Sequence, residues 1–311
     1  MQDNPSQPTF DRPFPALTAS QRYHMDAFGY VVVENTLTAD EVERIKDGLY
    51  KLRGELTQLK DPTATGPRVR GAYFWTNKIY HHLMAHIIES DASITAYATH
   101  PRMVSMAEEL MGGEARIVEM NAHINSRNSE DDSNSLPIYN FHRGTDIPFS
   151  THIQNGLFHC NFVKTLTNLT ELGSDDGGTV VVAGSHKIDV PTEELVAVAY
   201  EDRSLIHQVV APAGSTLLFC ETLIHATGHI RSDRERLNII TGYGSTLFPY
   251  WDDGTLSDTF NNQIPDQLQT LFHGKAHWTR GPRYRKLGDQ ADERSFRMGE
   301  WADRPPPDRD N

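Results

Sequence analysis

From Ala115 to Ser245 the chain is a succession of short apolar and β-branched runs: ARIVEMNAHIN, IYNFHRG, GLFHCNFVKTLTNL, GTVVVAGS, STLLFCETLI and LNIITGYGS. Glycine, aspartate and serine turns separate them, and one polar loop, SRNSEDDSNS, interrupts the series. Strands this short and this dense suggest an antiparallel sandwich or barrel, not an alternation of βαβ units.

Helices are expected ahead of these strands. Thr18-Ala-Ser-Gln21 and Thr38-Ala-Asp-Glu41 are capping boxes, in which the threonine and the Gln or Glu three residues later satisfy free backbone N–H groups, so each opens a helix. Val42, Ile45 and Leu49 then repeat at helical spacing, and GYVVVENTL between the two helices reads as a strand. A further helix is predicted near Pro101 to Met111, stopped by Gly112-Gly113. After Asp252 the pattern weakens. For 311 residues we expect one domain over 16–295, with a flexible segment 1–15 and a disordered tail 296–311 that ends in EWADRPPPDRDN.

Charge narrows the partners. The chain holds 42 acidic and 29 basic residues, a net charge of −13, which disfavours nucleic acid or an anionic membrane as the main partner. No run approaches the roughly 20 apolar residues of a spanning helix, and MQDNPSQPTFDRPFP is too polar for a signal peptide, so a cytoplasmic protein is expected. Cys160 and Cys220 both sit in apolar runs and read as buried thiols.

The chemistry concentrates in LLFCETLIHATGHIRSDRERLNII, residues 217–240. With 15 histidines in the chain, one means little without its position. His225 stands where one apolar run ends and is a candidate metal ligand. Arg236 opens the next run, and burying an arginine among strand residues demands an anion, most naturally a carboxylate. A surface salt bridge to Asp233 or Glu235 is the plainer alternative for Arg236. Arg231 and Arg234, in the turn, suit that reading better.

LTASQRYHMDAFGYVVVENTLTADEVERI, DDGGTVVVAGSHK and AGSTLLFCETLIHATGHIRSDRERLNI together resemble the phytanoyl-CoA dioxygenase family of iron(II)- and 2-oxoglutarate-dependent oxygenases, over roughly residues 16 to 250. The resemblance implies a mainly β fold with helices: a double-stranded β-helix, jelly-roll or cupin-like, with N-terminal helices packed on it. It implies Fe(II), 2-oxoglutarate and O2 as cofactor and co-substrates. His225 then matches the distal iron ligand, while Arg236 and Thr227 match residues that hold the far carboxylate of 2-oxoglutarate. His186 and Lys187, in GSHK, are structural in that family.

The remaining ligands are less regular. The family supplies a histidine and an acid as His-x-Asp, since residues i and i+2 of a strand share a face. Here the stretch is NFHRGTDIPF, in which His142 fits the histidine but Gly144 takes the place of the acid. Asp146 is the expected metal-binding acid, although four residues of ideal strand span roughly 13 Å, so a bulge or turn at Gly144 must bring it in. Three alternatives stay open. The acid is absent and Gly144 leaves an open position, as in related halogenases; or Glu119 supplies it from another strand; or His159-Cys-Asn161 stands in for the motif, although His159 fits a pocket residue better. His123 and His152 read as packing or pocket-lining groups.

The implied reaction hydroxylates an unactivated C–H bond of a small or medium metabolite and releases succinate and CO2. No side chain beyond the metal ligands need act as acid or base. The acidic surface argues mildly against a CoA ester, and GAYFWTNKIYHH, with Lys78, reads either as a lid over the pocket or as aromatics packed on the barrel. A degenerate β-helix that binds a ligand without turning it over is the reading from a different class.

Overall fold

The computed structural model of the protein describes residues 15–128, 136–154, 156–246, 248–249 and 255–275. The expected disordered tail and, Pro15 apart, the expected flexible N-terminal segment lie outside these residues.

Both capping boxes form. Helix α1 (Ala19–Phe28) starts where the Thr18 hydroxyl accepts from the Gln21 amide and the Gln21 side chain accepts from the Thr18 amide. Helix α2 (Ala39–Thr57) repeats the arrangement with Thr38 and Glu41 and buries Val42, Ile45 and Leu49 on one face. Gly29 ends α1 at φ +83° and turns the chain into strand β1 (Tyr30–Val33). A Cβ at Gly29 would come within 2.6 Å of the His186 ring, so the close approach and the left-handed backbone both require glycine.

GAYFWTNKIYHH is a hairpin of β2 (Tyr73–Lys78) and β3 (His81–Ala85). Tyr73 and Phe74 are buried, whereas Trp75 and Ile79 are exposed, so neither the lid nor the packing alternative holds for the whole stretch. Helices α3 (Ala92–Ala98) and α4 (Pro101–Met111) precede the long strand β4 (Ala115–Asn125). A short helix α5 (Ile147–Ser150) leads into β5 (Thr151–Gln154), β6 (Leu157–Cys160), β7 (Phe162–Asn168) and β8 (Thr179–Val182). Helix α6 (Thr192–Glu201), β9 (Ile206–Val209), β10 (Thr216–Cys220), β11 (His225–Thr227) and β12 (Arg236–Ser245) follow.

The strands form a seven-stranded antiparallel sheet in the order β1-β10-β7-β12-β4-β3-β2, a facing three-stranded sheet β11-β8-β9, and the hairpin β5-β6. This is the jelly-roll core expected from the sequence, with helices on one side. Two details differ from the expectation. GLFHCNFVKTLTNL breaks at Asn161 into strands of different sheets, and IYNFHRG makes a single bridge, His142 to His225, in place of a strand.

The large sheet is buried on both faces, and the period of two sorts its residues. Met120, Ala122 and Ile124 of β4, Leu218 and Cys220 of β10, and Leu237 and Ile239 of β12 face α2, α3 and α4 in the main apolar core. Leu166, Leu217, Phe219 and Ile240 face the other way, where they pack with Val181 of the small sheet. Cys160 and Cys220 are buried free thiols. Among the described residues no helix is long and apolar enough to cross a membrane.

Helix α4 also anchors the entry to α1, because the Glu109 carboxylate accepts from the Ala16 amide at 2.6 Å and the Leu17 amide at 3.2 Å. Burial pushes the Glu109 carboxyl up to about 7, against the pull of those amides and of Arg22. The folded protein therefore keeps a proton that the unfolded chain has released, and this group's contribution to stability falls as pH rises from about 4.5 to about 7, by up to roughly 3 kcal/mol. In Glu109→Gln, urea unfolding at pH 5 and pH 8 should give stabilities closer together than in the unaltered protein. An unchanged pH slope would exclude Glu109 as its source.

Candidate active site

The inner face of the large sheet is polar where a core would be apolar. Glu119, Asn121, His123 and Asn125 alternate along β4, and their cross-strand partners on β12 are Gly242, Ile240, Asn238 and Arg236. On β7 the inward residues include Lys164 and Asn168, which pair with Gly242 and Asn238. Buried polar atoms in a folded interior are normally hydrogen-bonded. Here Asn125, Asn168 and Asn238 each keep a side-chain polar atom without a partner, as does Nε of Arg236. Such an interior suits a polar ligand.

One end of this interior carries a charged cluster. Lys164 Nζ lies 2.8 Å from Glu119 Oε1 and 3.1 Å from Glu221 Oε1, all three largely buried. Burial works to lower the Lys164 pKa, but the two carboxylates outweigh it and hold the ammonium above its ordinary value. Glu119 fits only because Gly242 lies opposite, where a Cβ would stand 2.6 Å from Glu119 Cγ and 2.7 Å from the Phe162 ring. Glu221 faces inward because the alternation of Leu217 and Phe219 continues one step past β10.

His142 and His225 meet at the same end. Their backbones exchange two hydrogen bonds, His142 N to His225 O at 3.0 Å and His225 N to His142 O at 2.9 Å, and their ring centroids lie 4.4 Å apart. His225 Nδ1 is 2.8 Å from the Leu223 carbonyl and His142 Nδ1 is 3.2 Å from the Asn140 carbonyl. A carbonyl can only accept, so each Nδ1 carries a proton, and in the neutral ring Nε2 has the lone pair a metal needs. Burial, His142 and Lys164 together press the His225 pKa down to about 3, so its ring is neutral at any physiological pH.

Arg236 lies at the other end. It is 3% exposed, and burial lowers its pKa to about 10 with no carboxylate acting on it. The acids considered as surface partners are engaged elsewhere: Asp233 with Arg127 and Glu235 with Arg53. Arg234 pairs with Asp176, and Arg231 is exposed. Beside Arg236, His81 and His123 stack at 5.3 Å, and burial followed by neighbouring cations keeps both rings neutral. Thr227 stands two residues beyond His225 on β11, and is exposed.

The structure does not gather Asp146 with the two imidazoles. Its side chain is exposed, it precedes α5 without capping it, and among the described residues no three His, Cys, Asp or Glu side chains are gathered about one point. At Gly144 the backbone amide donates to the Glu221 carbonyl at 2.8 Å. His159 is not a pocket residue either: it is buried on the helix side, with Nδ1 3.1 Å from the Leu110 carbonyl and its ring against His152. His186 bonds the Asp26 carbonyl and Lys187 pairs with the Asp26 carboxylate, which ties GSHK to α1.

Sequence reasoning passed over Lys164, Glu221, His81 and the three asparagines. The available signals were a lysine inside the otherwise uncharged FVKTLTN and a glutamate directly after the apolar TLLFC.

A jelly roll with two facing imidazoles at one end of a polar interior and, at the other, a guanidinium that no carboxylate pairs among the described residues has the form of a 2-oxoglutarate-dependent oxygenase. The family model of phytanoyl-CoA dioxygenase (PhyH) matches residues 25–238. The chain belongs to that family and is a non-heme iron oxygenase that uses iron(II), 2-oxoglutarate and O2. HygX from Streptomyces hygroscopicus, solved with nickel and 2-oxoglutarate bound, is similar over 76% of this chain and 90% of its own, at 21% identity and a TM-score of 0.59. The carbocyclase SnoK from nogalamycin biosynthesis matches at 17% identity and TM-score 0.55, over 80% of this chain and 92% of its own. EctD from S. alaskensis, solved with 2-oxoglutarate and 5-hydroxyectoine, matches at 21% and 0.52, over 78% and 79%. These likenesses are of fold. No curated protein matches the chain in sequence.

The charged cluster gives a direct test of the interior. Lys164→Met leaves two buried carboxylates without their cation and should cost about 3–5 kcal/mol in urea unfolding, whereas adding Glu119→Gln and Glu221→Gln should recover much of it. A Lys164→Met protein as stable as the original would show that the three charges are not coupled.

Proposed function

We propose that the protein hydroxylates an unactivated C–H bond of a small or medium-sized metabolite, consuming one O2 and one 2-oxoglutarate and releasing succinate and CO2. One oxygen atom enters the product hydroxyl and the other enters succinate. His142 and His225 would hold iron(II) through Nε2, and Arg236 would hold the far carboxylate of 2-oxoglutarate, with Thr227 adding a hydroxyl donor. Bound iron supplies O2 activation and the oxidative decarboxylation; the chain orients both substrates and excludes water.

The observation that carries this reading is Arg236. Its buried guanidinium has no counter-ion among the described residues, which costs roughly 3 kcal/mol at neutral pH. A two-pronged hydrogen bond to a carboxylate would offset that cost. A ligand with a carboxylate at this end and a chelating group at the imidazole end fits 2-oxoglutarate. A small-molecule substrate is supported by HygX solved with hygromycin B and SnoN with nogalamycin RO. Those relatives include a carbocyclase and an epimerase, so hydroxylation is the outcome put to the test.

The halogenase alternative needs an open anion position at Gly144. The Glu221 carboxylate lies where a Cβ of residue 144 would point, its carboxyl carbon 2.8 Å from that position, so a halide there would meet both the volume and the charge of the carboxylate.

Arg236→Ala should raise the 2-oxoglutarate KM for succinate formation by at least about tenfold, the loss of one charge-assisted contact, whereas Arg231→Ala should leave it unchanged. Equal effects of the two substitutions would remove Arg236 from the co-substrate site. In the same assay, a product 16 mass units heavier than its substrate identifies hydroxylation, and a product two units lighter identifies ring closure or desaturation.

A further inference from the structure

We propose that His81 and His123 form a second anchor for the far carboxylate of 2-oxoglutarate: His123 donates to it through Nε2, and His81 fixes the tautomer that allows this. The proposal rests on the reading of Arg236 as the charged anchor. Cross-strand register brings the three side chains together. Asn125 of β4 is flanked by His81 of β3 on one side and by Arg236 of β12 on the other, and directly opposed residues share a face of a sheet. His123, two residues before Asn125, projects to that face too. The backbones of His81 and Arg236 thus lie two strand spacings apart, about 10 Å, with His123 on the strand between them. The charge of Arg236 acts on both rings.

The pair can donate at one end only. His81 Nε2 and His123 Nδ1 are 3.2 Å apart, and the rings stack at 5.3 Å with 15° between their planes. With both rings neutral, that contact holds one proton. If His81 supplies it, His123 accepts at Nδ1 and carries its own proton on Nε2; if His123 supplies it, His123 Nε2 is left with a lone pair. A carboxylate only accepts, so it selects the first arrangement. His123 Nε2 has no hydrogen-bond partner among the described residues. His123 is also only partly covered although β4 is paired on both sides, so the surface it keeps belongs to the imidazole. A neutral donor suits the charge balance as well. Arg236 already matches the single charge of the far carboxylate, and burial first, then the cations Lys78, Arg236 and Lys164, keeps a further positive charge from forming on the rings.

The experiment is a calorimetric titration of 2-oxoglutarate into the Fe(II)-loaded protein without O2. It compares the unaltered protein with His123→Met, His123→Gln, His81→Phe and Arg236→Ala. Methionine and glutamine have nearly the same shape, but only glutamine carries a donor where Nε2 stands. His123→Met should weaken 2-oxoglutarate binding by at least about tenfold, the worth of one hydrogen bond to a charged group, and His123→Gln should regain most of the affinity. His81→Phe keeps an aromatic ring against His123 but frees the tautomer, and should weaken binding less than His123→Met does. Should His123→Met fail to fold, His81→Phe, which leaves β4 unchanged, carries the test. Undiminished binding in His123→Met or His81→Phe, or binding in His123→Gln as weak as in His123→Met, overturns the role of the pair alone. Binding in Arg236→Ala as tight as in the unaltered protein overturns the reading of Arg236, and with it this proposal.

Discussion

The seven-stranded sheet is covered on both faces, and everything in the site follows from that. One face is a conventional apolar core under α2, α3 and α4, which stabilises the fold. The other faces the small sheet, where Leu166, Leu217, Phe219 and Ile240 pack with Val181. Buried polar residues on that face have lost their water and must find partners inside the protein or in a ligand. Which groups have found partners and which have not therefore separates structure from function.

Two buried cations illustrate the difference. Lys164 sits between Glu119 and Glu221, and is charged because its neighbours make it so. Arg236 is more deeply buried, yet among the described residues no carboxylate compensates it. A guanidinium cannot escape by losing its proton, since even at about 10 its pKa stays well above neutrality. The barrel thus holds a standing positive charge at one end and two adjacent imidazoles at the other, a polarity that orders any ligand carrying a carboxylate at one end only.

How far the sequence disclosed this depends on the reach of each signal. The capping boxes at Thr18 and Thr38 are local and were legible to the residue, because the groups that satisfy one another lie three positions apart. His225 and Arg236 were legible as candidates because each interrupts an apolar run. The break at Asn161 was not: LFHCNFVKT is apolar on both sides, and only the pairing of β6 with β5 and of β7 with β10 and β12 divides it. Asp146 is left out of the gathering of imidazoles for a related reason. A motif describes neighbours along a strand, whereas His142 belongs to no strand and is held by a single bridge to His225. Once the strand is gone, the spacing rule that made Asp146 attractive no longer applies.

A motif residue and the space it fills are separate properties, and at Gly144 they have come apart. The place that a Cβ of residue 144 would take is filled by the Glu221 carboxylate, in the turn between β10 and β11. The backbone bond from Gly144 holds that turn, and Lys164 holds one carboxylate oxygen. The same lysine pairs with a second buried acid, Glu119, which a glycine at 242 admits. Both carboxylates of the cluster thus lie against glycines on two different elements, and the volume an acid at 144 would need is already taken.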